Sequence, residues 1–372
     1  VTVVTAEGRI EAIVAGDEPV DAFRTLEAAA VTPGLINAHV HLEFSGEPDL
    51  GVVLLTPPVA KGLTAAANAR RSLEAGVTTV RDLGAADGSA IELRDAIAAG
   101  KLPGPTIVPA GRALCMTGGH GHWIGRETDG PWDARKAVRE QRKAGAACIK
   151  LIATGGVLTK GAVPGQDQLT EEEMRAAIVE AHTHDMRVAA HAIGTTGIKN
   201  ALRAGVDSIE HGHLLDDEAI ELFRARNAFL VPTLSAPSRI FEHAGDGKQP
   251  DYVIRKATDL FEAMRTNIAR AYRAGVAIAG GSDAGTPYND HADYAYEVEL
   301  MHTMLGMTPG RALHAATAVA GQLLGVDAGV VAAGRPADLL LLGDDLEQHT
   351  FALRAPHGVI KAGAIAMLRD VG

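Results

Sequence analysis

The sequence predicts an α/β fold, a (β/α)8 (TIM) barrel with a small β-sandwich-like domain built from both chain ends. Three observations predict it. First, one segment recurs four times, as "EAGVTTV" (74–80), "KAGAACI" (143–149), "RAGVDSI" (203–209) and "RAGVAIA" (273–279). Each reads as a helix end, a glycine that stops the helix, and an apolar β-rich run. The copies start 69, 60 and 70 residues apart, and each gap holds about two βα units of roughly 30 residues or more. Second, filling in the strands between the copies gives eight, separated mostly by helical patterns. Third, no G-x-G-x-x-G follows the first strand, so the alternative of a doubly wound open sheet loses its best support.

In order, the strands fall near 35–41 (LINAHVH), 77–83 (VTTVRDL), 105–110 (PTIVPA) and 147–153 (ACIKLIA). The other four fall near 187–191 (RVAAH), 206–210 (VDSIE), 228–234 (AFLVPTL) and 276–282 (VAIAGGS). Between the fourth and fifth lies "TEEEMRAAIVEAHTHD" (170–185), in which Thr170 and Glu173 have the spacing of a capping box. The barrel is assigned to 32–328. Residues 1–31 and 329–372 carry short β-like runs, "VTVV", "EAIVA", "ADLLLLG" and "GVIKAGAIAM". These two ends are expected to meet in one small, discontinuous β domain.

The bulk numbers narrow the function. The chain's 372 residues, 47% apolar and 22% charged, fit a soluble globular protein of one large α/β domain or a large plus a small one. A net charge of -11 recommends neither a nucleic-acid nor an anionic-membrane partner. No window approaches the 18 or so apolar residues of a membrane span, and no secretory signal is visible. Two cysteines, Cys115 and Cys148, give neither a disulfide framework nor a thiolate metal site. They fit a reducing cytoplasm, although the chain begins without Met, which leaves a leading segment and export open. Oligomeric state is open too, a homo-oligomer included.

The active sites of such barrels lie at the C-terminal ends of the strands. Strand 1 ends in His39 and His41, strand 4 carries Lys150, and strand 5 ends in His191. Strand 6 ends in Glu210 and His211, and strand 8 is followed by Asp283. His39 and His41 form an H-x-H pair, whose members point to the same face about 6–7 Å apart. H-x-H alone is a weak signal; four histidines and an aspartate at one mouth are not. Imidazole and carboxylate without thiolate suit zinc first, with Mn, Fe or Co as alternatives. Five ligands exceed one open catalytic zinc and fit two ions about 3.5–4 Å apart. Such a pair calls for a bridging anion. Lys150 supplies one if its neutral amine adds carbon dioxide to become a carbamate. That would also explain a lysine in an apolar strand, where desolvation penalises an ammonium.

"VTPGLINAHVHLE", "CIKLIATGG", "VAAHAIGTTGIKNALRAGVDSIEHG" and "GGSDAGTP" resemble the amidohydrolase superfamily. The similarity runs on through "GMTPGRALHAATAVAGQLLGV" and "GRPADLLLLGDD". Within the superfamily the chain resembles the imidazolonepropionase-related group of metal-dependent prolidases and Xaa-Arg carboxypeptidases. The resemblance implies that His39, His41 and Asp283 bind the more buried of two divalent ions, and His191 and His211 the more exposed one. It implies that carbamylated Lys150 and a hydroxide bridge them, and that Asp283 shuttles the proton from the hydroxide to the leaving amine. His120, His122 and Arg126, in "CMTGGHGHWIGRE" (115–127), are expected to hold the substrate carbonyl or carboxylate. His291, after strand 8, is expected to line the pocket. Family prolidases carry a Tyr shortly after "VPTL", where this chain has Pro237. That departure shifts the expected substrate preference rather than the chemistry.

Other polar residues read as structural. His182 and His184 do not face each other on their helix, and His213 reads as a loop residue. Glu210 reads as orienting a ligand, and Asp82 as paired with Arg81 or held by internal hydrogen bonds. The expected activity is hydrolysis of an amide in a dipeptide or N-acyl amino acid. The alternatives are a cyclic amide, lactone or other ester, carbamate or organophosphorus hydrolase on the same site, a deaminase, or a non-enzymatic scaffold. The scaffold reading would go with lost ligands, and all six are present.

Overall fold

The computed structural model describes residues 1–16, 20–346 and 350–369. Positions 17–19, 347–349 and 370–372, parts of the expected small domain, lie outside the described residues. Eight parallel strands form the barrel wall: β1 (Leu35–Val40), β2 (Val77–Asp82), β3 (Thr106–Pro109), β4 (Cys148–Ile152), β5 (Arg187–Ala192), β6 (Ser208–His211), β7 (Phe229–Val231) and β8 (Ala277–Ile278). Neighbours pair in chain order from β1 to β3 and from β4 to β8. The wall passes from β3 to β4 through Ala147 N–H to Pro109 O (2.8 Å) and a Leu114–Leu151 pair. It closes from β8 to β1 through Ala38 N–H to Gly280 O, Asp283 N–H to His39 O, and His41 N–H to Ala284 O.

The period-2 pattern of the strands explains which side chains reach the barrel mouth. On β4, Ile149 and Leu151 join the core shared with the helices, where Val138, Met174 and Ile178 pack. Lys150 and Ile152 point the other way and line a cavity. β5 repeats the arrangement, with Val188 and Ala190 in the core and His191 in the cavity. The helix Glu171–His182 starts on the expected capping box, with Thr170 accepting from Glu173 N–H and Glu173 accepting from Thr170 N–H.

β7 and β8 are shorter than their expected spans, for local reasons. Pro232 offers no N–H to extend β7. Beyond β8 the chain runs so close to β1 that a Cβ on Gly281 would stand 3.0 Å from His39 N and 2.5 Å from Val231 Cγ1. The expected Gly-rich loop after β3 is more ordered than its composition implies. Strands Ala113–Cys115 and Gly125–Glu127 pair within and beside it.

The chain ends meet beside the barrel. A hairpin, Thr2–Ala6 with Arg9–Val14, lies against an antiparallel sheet ordered 364–368, 358–361, 339–342 and 30–33. Ile10 seals the two sheets against Ala337, Leu339 and Ile360. Lys361 Nζ reaches Asp338 (2.7 Å) and, on β3, Thr106 Oγ1 (2.8 Å). No helix among the described residues is long and apolar enough to cross a membrane.

Gly285 fixes how the β1 and β8 loops approach. Its φ is +100°, and a Cβ there would meet His41 O at 2.5 Å and Phe44 O at 2.8 Å. Both are backbone atoms that cannot swing aside. Gly285→Ala is therefore expected to destabilise the fold by about 1–3 kcal/mol, measured by urea unfolding. An unchanged midpoint would show that the loop can relax.

Candidate metal centre

The strand ends bring His39, His41, Lys150, His191, His211 and Asp283 into one chamber, with His120 beside them. One atom each from His39, His211 and Asp283 lies within 4.8 Å of the others. Ring centroids are 5.4 Å apart for His39–His41, 5.4 Å for His39–His211 and 4.5 Å for His191–His211. Four imidazoles, a carboxylate and an amine thus converge at the mouth.

Each imidazole is held by the nitrogen that faces away. His39 Nδ1 lies 2.9 Å from Glu210 Oε2. Glu210 also accepts from Arg81 Nη2 at 2.9 Å and from Ser208 Oγ at 2.6 Å. Burial pushes the Glu210 carboxyl up, but the Arg81 guanidinium and the His39 contact outweigh it and hold the pKa at about 2. An ionised carboxylate only accepts, so His39 donates through Nδ1. His41 Nδ1 donates to Gly84 O (3.1 Å), and His191 Nε2 makes a long contact with Gly155 O (3.4 Å). His211 Nδ1 meets Thr233 Oγ1 at 2.8 Å. This leaves Nε2 of His39, His41 and His211 and Nδ1 of His191 free for the chamber. Metal-binding histidines are oriented in this way.

The free atoms suit a cation. Nε2 of His39 and of His41 each lie 3.3 Å from Asp283 Oδ1, an oxygen with no hydrogen bond. With Nδ1 protonated, two imidazole lone pairs face a carboxylate oxygen, an arrangement that requires a proton or a metal ion among them. Burial opposes a proton on His41, yet Asp283 raises its pKa. Burial, then the Lys150 charge, lowers His39 to about 4. Burial holds His191 and His211 well below the usual range, with neighbouring imidazoles adding to it. Lys150 is 2% exposed, and its Nζ has no hydrogen-bond partner. Burial lowers its pKa to about 8. The donor set therefore fits divalent metal.

The backbone at the mouth is strained. His211 (φ 72°), Thr233 (φ 49°) and Asp283 (φ 58°) all lie in the left-handed region, which costs of order 1–3 kcal/mol each. His211 and Asp283 line the chamber, and Thr233 holds His211 from behind.

The substrate candidates divide. His120 lines the chamber, its Nδ1 2.8 Å from Thr159 Oγ1, and burial lowers its pKa to about 3. His122 lines a separate, outer cavity. Arg126 is not brought to the chamber. It forks instead to Asp133 (2.8 Å) and Glu140 (2.9 Å), acids on the helix that follows it. His291 is not brought in either. It sits behind the wall, donating from Nε2 to Phe44 O at 2.8 Å. Pro237 lines the chamber on helix Ser235–Glu242, and that helix is capped by Glu297, which accepts from Leu234 and Ser235 N–H.

His213, expected in a loop, lines the chamber as a buried imidazole whose ring nitrogens lack hydrogen bonds. Its H-x-H spacing with His211 repeats that of His39 and His41 and is a signal the sequence does carry. Asp82 is held by Leu42 and Gly84 N–H, as one of its two expected alternatives had it. His182 and His184 bind Asp207 and Glu180 outside the site.

Fold and donor set together define a hydrolytic metal barrel. Residues 30–366 match the amidohydrolase family. The chain belongs to that family, a hydrolase of carbon–nitrogen bonds. Ochratoxinase of Aspergillus niger is 30% identical over 373 residues, spanning 90% of this chain and 74% of that protein. A Xaa-Pro dipeptidase crystallised with methionine in its active site superposes with TM-score 0.91 at 32% identity, over 98% of this chain and 94% of that one. A prolidase complexed with N-methylphosphonate-L-proline gives TM-score 0.90 at 31% identity, over 99% and 94%.

Two outcomes are expected from this geometry. Arg81→Ala strands the Glu210 carboxylate in the interior, and about 3–5 kcal/mol of stability should be lost. The Arg81→Ala/Glu210→Ala double variant should lose less than the sum of the single losses in urea unfolding. His291 is neutral when folded, because burial lowers its pKa to about 4, whereas an unfolded His titrates near ~6.5. Between those values the unfolded chain binds the extra proton, so stability falls as pH drops from about 6.5 to 4. Across that window His291→Asn should show a slope shallower by up to about 1.4 kcal/mol per pH unit in the metal-free protein. Parallel slopes would remove His291 from the acid response.

Proposed function

We propose that the chain is a binuclear metal-dependent hydrolase that cleaves the amide bond of a small substrate, of dipeptide or N-acyl amino acid size. The observation that carries the reading is Lys150 Nζ, buried without a partner in a chamber it shares with His39, His41, His191, His211 and Asp283. His39, His41 and Asp283 would hold one ion and His191 and His211 the other, with Lys150, as a carbamate, holding both. Zinc suits this thiolate-free set.

Lys150 reaches the carbamate state through its neutral amine, which the lowered pKa makes available. The amine nitrogen bonds to the carbon of carbon dioxide and releases one proton to water. An anion with two oxygens replaces the cation. When bound, the ions supply a water of lowered pKa and a polarised scissile carbonyl. Asp283 accepts the proton of the attacking water and returns it to the leaving nitrogen. Burial works against the Asp283 charge, but positive charge shared with His39 and His41 outweighs it and keeps the carboxylate ionised. Neutral His120 stands beside His191, their centroids 4.5 Å apart, as the group to steady the substrate carbonyl. The names of the relatives, a dipeptidase, a prolidase and an ochratoxinase, support an amide as the bond cleaved.

Elemental analysis of the protein purified with zinc should give close to two ions per chain. One ion would count against the binuclear site. Lys150→Ala should lose metal occupancy and lower kcat/KM by about 10²-fold or more, since even groups behind a ligand are worth about 10–100-fold. Full occupancy with full activity in that variant would overturn the role of Lys150.

A further inference from the structure

Above its floor of histidines the chamber is walled by apolar side chains. Phe44 and Leu50 come from the segment after β1, Trp123 from the one after β3, and Leu158 from the one after β4. Pro237 and Ile240 come from the helix after β7. The empty space, with the solvent at its open mouth included, is ≈ 820 Å³.

The charges absent from this lining are as informative. Among the described residues that line it there is no arginine, tyrosine, asparagine or glutamine, and the single lysine is Lys150. The one hydroxyl, on Thr286, donates to Asp283 O at 2.7 Å. His213 is a buried imidazole and His120 a half-buried one, and neither is a fixed cation. Arg126 is engaged by Asp133 and Glu140. Lys160, Asp49 and His122 line the outer cavity, which shares only Leu50, Trp123 and Leu158 with the chamber. A carboxylate on the carbon next to the scissile nitrogen would leave water and find no cationic side chain from these walls, which is costly.

We infer that the substrate is a neutral amide with bulky apolar groups, aryl or branched alkyl, on both sides of the scissile bond. A carboxylate beside the scissile nitrogen is not a recognition element in this chamber. The inference rests on the amide-hydrolase reading and narrows it, away from free dipeptides and toward amides of hydrophobic amines.

The test is a matched pair offered to the zinc-loaded full chain, N-benzoyl-phenethylamine and N-benzoyl-L-phenylalanine, which differ only in the carboxylate. The carboxylate-free amide should be cleaved with kcat/KM about tenfold higher or more. Equal or faster cleavage of the acid overturns the inference and leaves the amide reading standing. Phenyl benzoate separates the two failures, because its hydrolysis with neither amide cleaved sinks the amide reading itself. Leu158, half-buried in the wall, allows a charge to be added. Leu158→Arg should shift the ratio toward the acid by about tenfold, and an unshifted ratio would count against carboxylate exclusion by these walls. The wild-type pair decides the question even where that variant fails to fold.

Discussion

One buried carboxylate holds the barrel mouth in shape. Glu210 on β6 takes Arg81 from β2 and His39 from β1, while Arg81 Nε also reaches Ala38 O at 2.7 Å. Three strands are tied through the interior by groups almost wholly screened from water. In that low dielectric the charges hold together as a unit, because none can be left alone. Glu210 also decides the tautomer of His39, and so which nitrogen the floor of the chamber receives. His41, His211 and Asp283 are arranged around that nitrogen.

The floor was legible in the sequence because it obeys a short rule. Strands alternate faces, barrels place function at strand ends, and His39, His41, Lys150, His191, His211 and Asp283 stand at such ends. The chain-end sheet was legible for a similar reason, since "ADLLLLG" and "GVIKAGAIAM" read as strands without reference to the rest of the fold. The pairing of Arg81 with Glu210 joins residues 129 positions apart, and no local pattern encodes a contact of that range.

The walls resisted reading because loops are not periodic. Arg126 looked like a carboxylate binder, yet Asp133 and Glu140 follow it at seven-residue intervals on one helix face and claim its guanidinium. His291 reads as a pocket residue, yet its ring is held by Phe44 O and only Phe44 lines the cavity. His213 reads as a loop residue and does sit in a turn, and only its H-x-H spacing with His211 hints that it lines the chamber.

The chamber's two halves come from different parts of the chain. Its floor belongs to the strands and is clamped by buried polar contacts and strained backbone. Its walls belong to separate segments that follow the strands. Replacing Pro237 or Ile240 alters one side of the room and leaves Glu210, Arg81 and the imidazoles as they are. Bond-breaking and substrate choice can therefore diverge at different rates within one lineage. A barrel of this design can be handed from one substrate to another, one wall at a time, without relearning its chemistry.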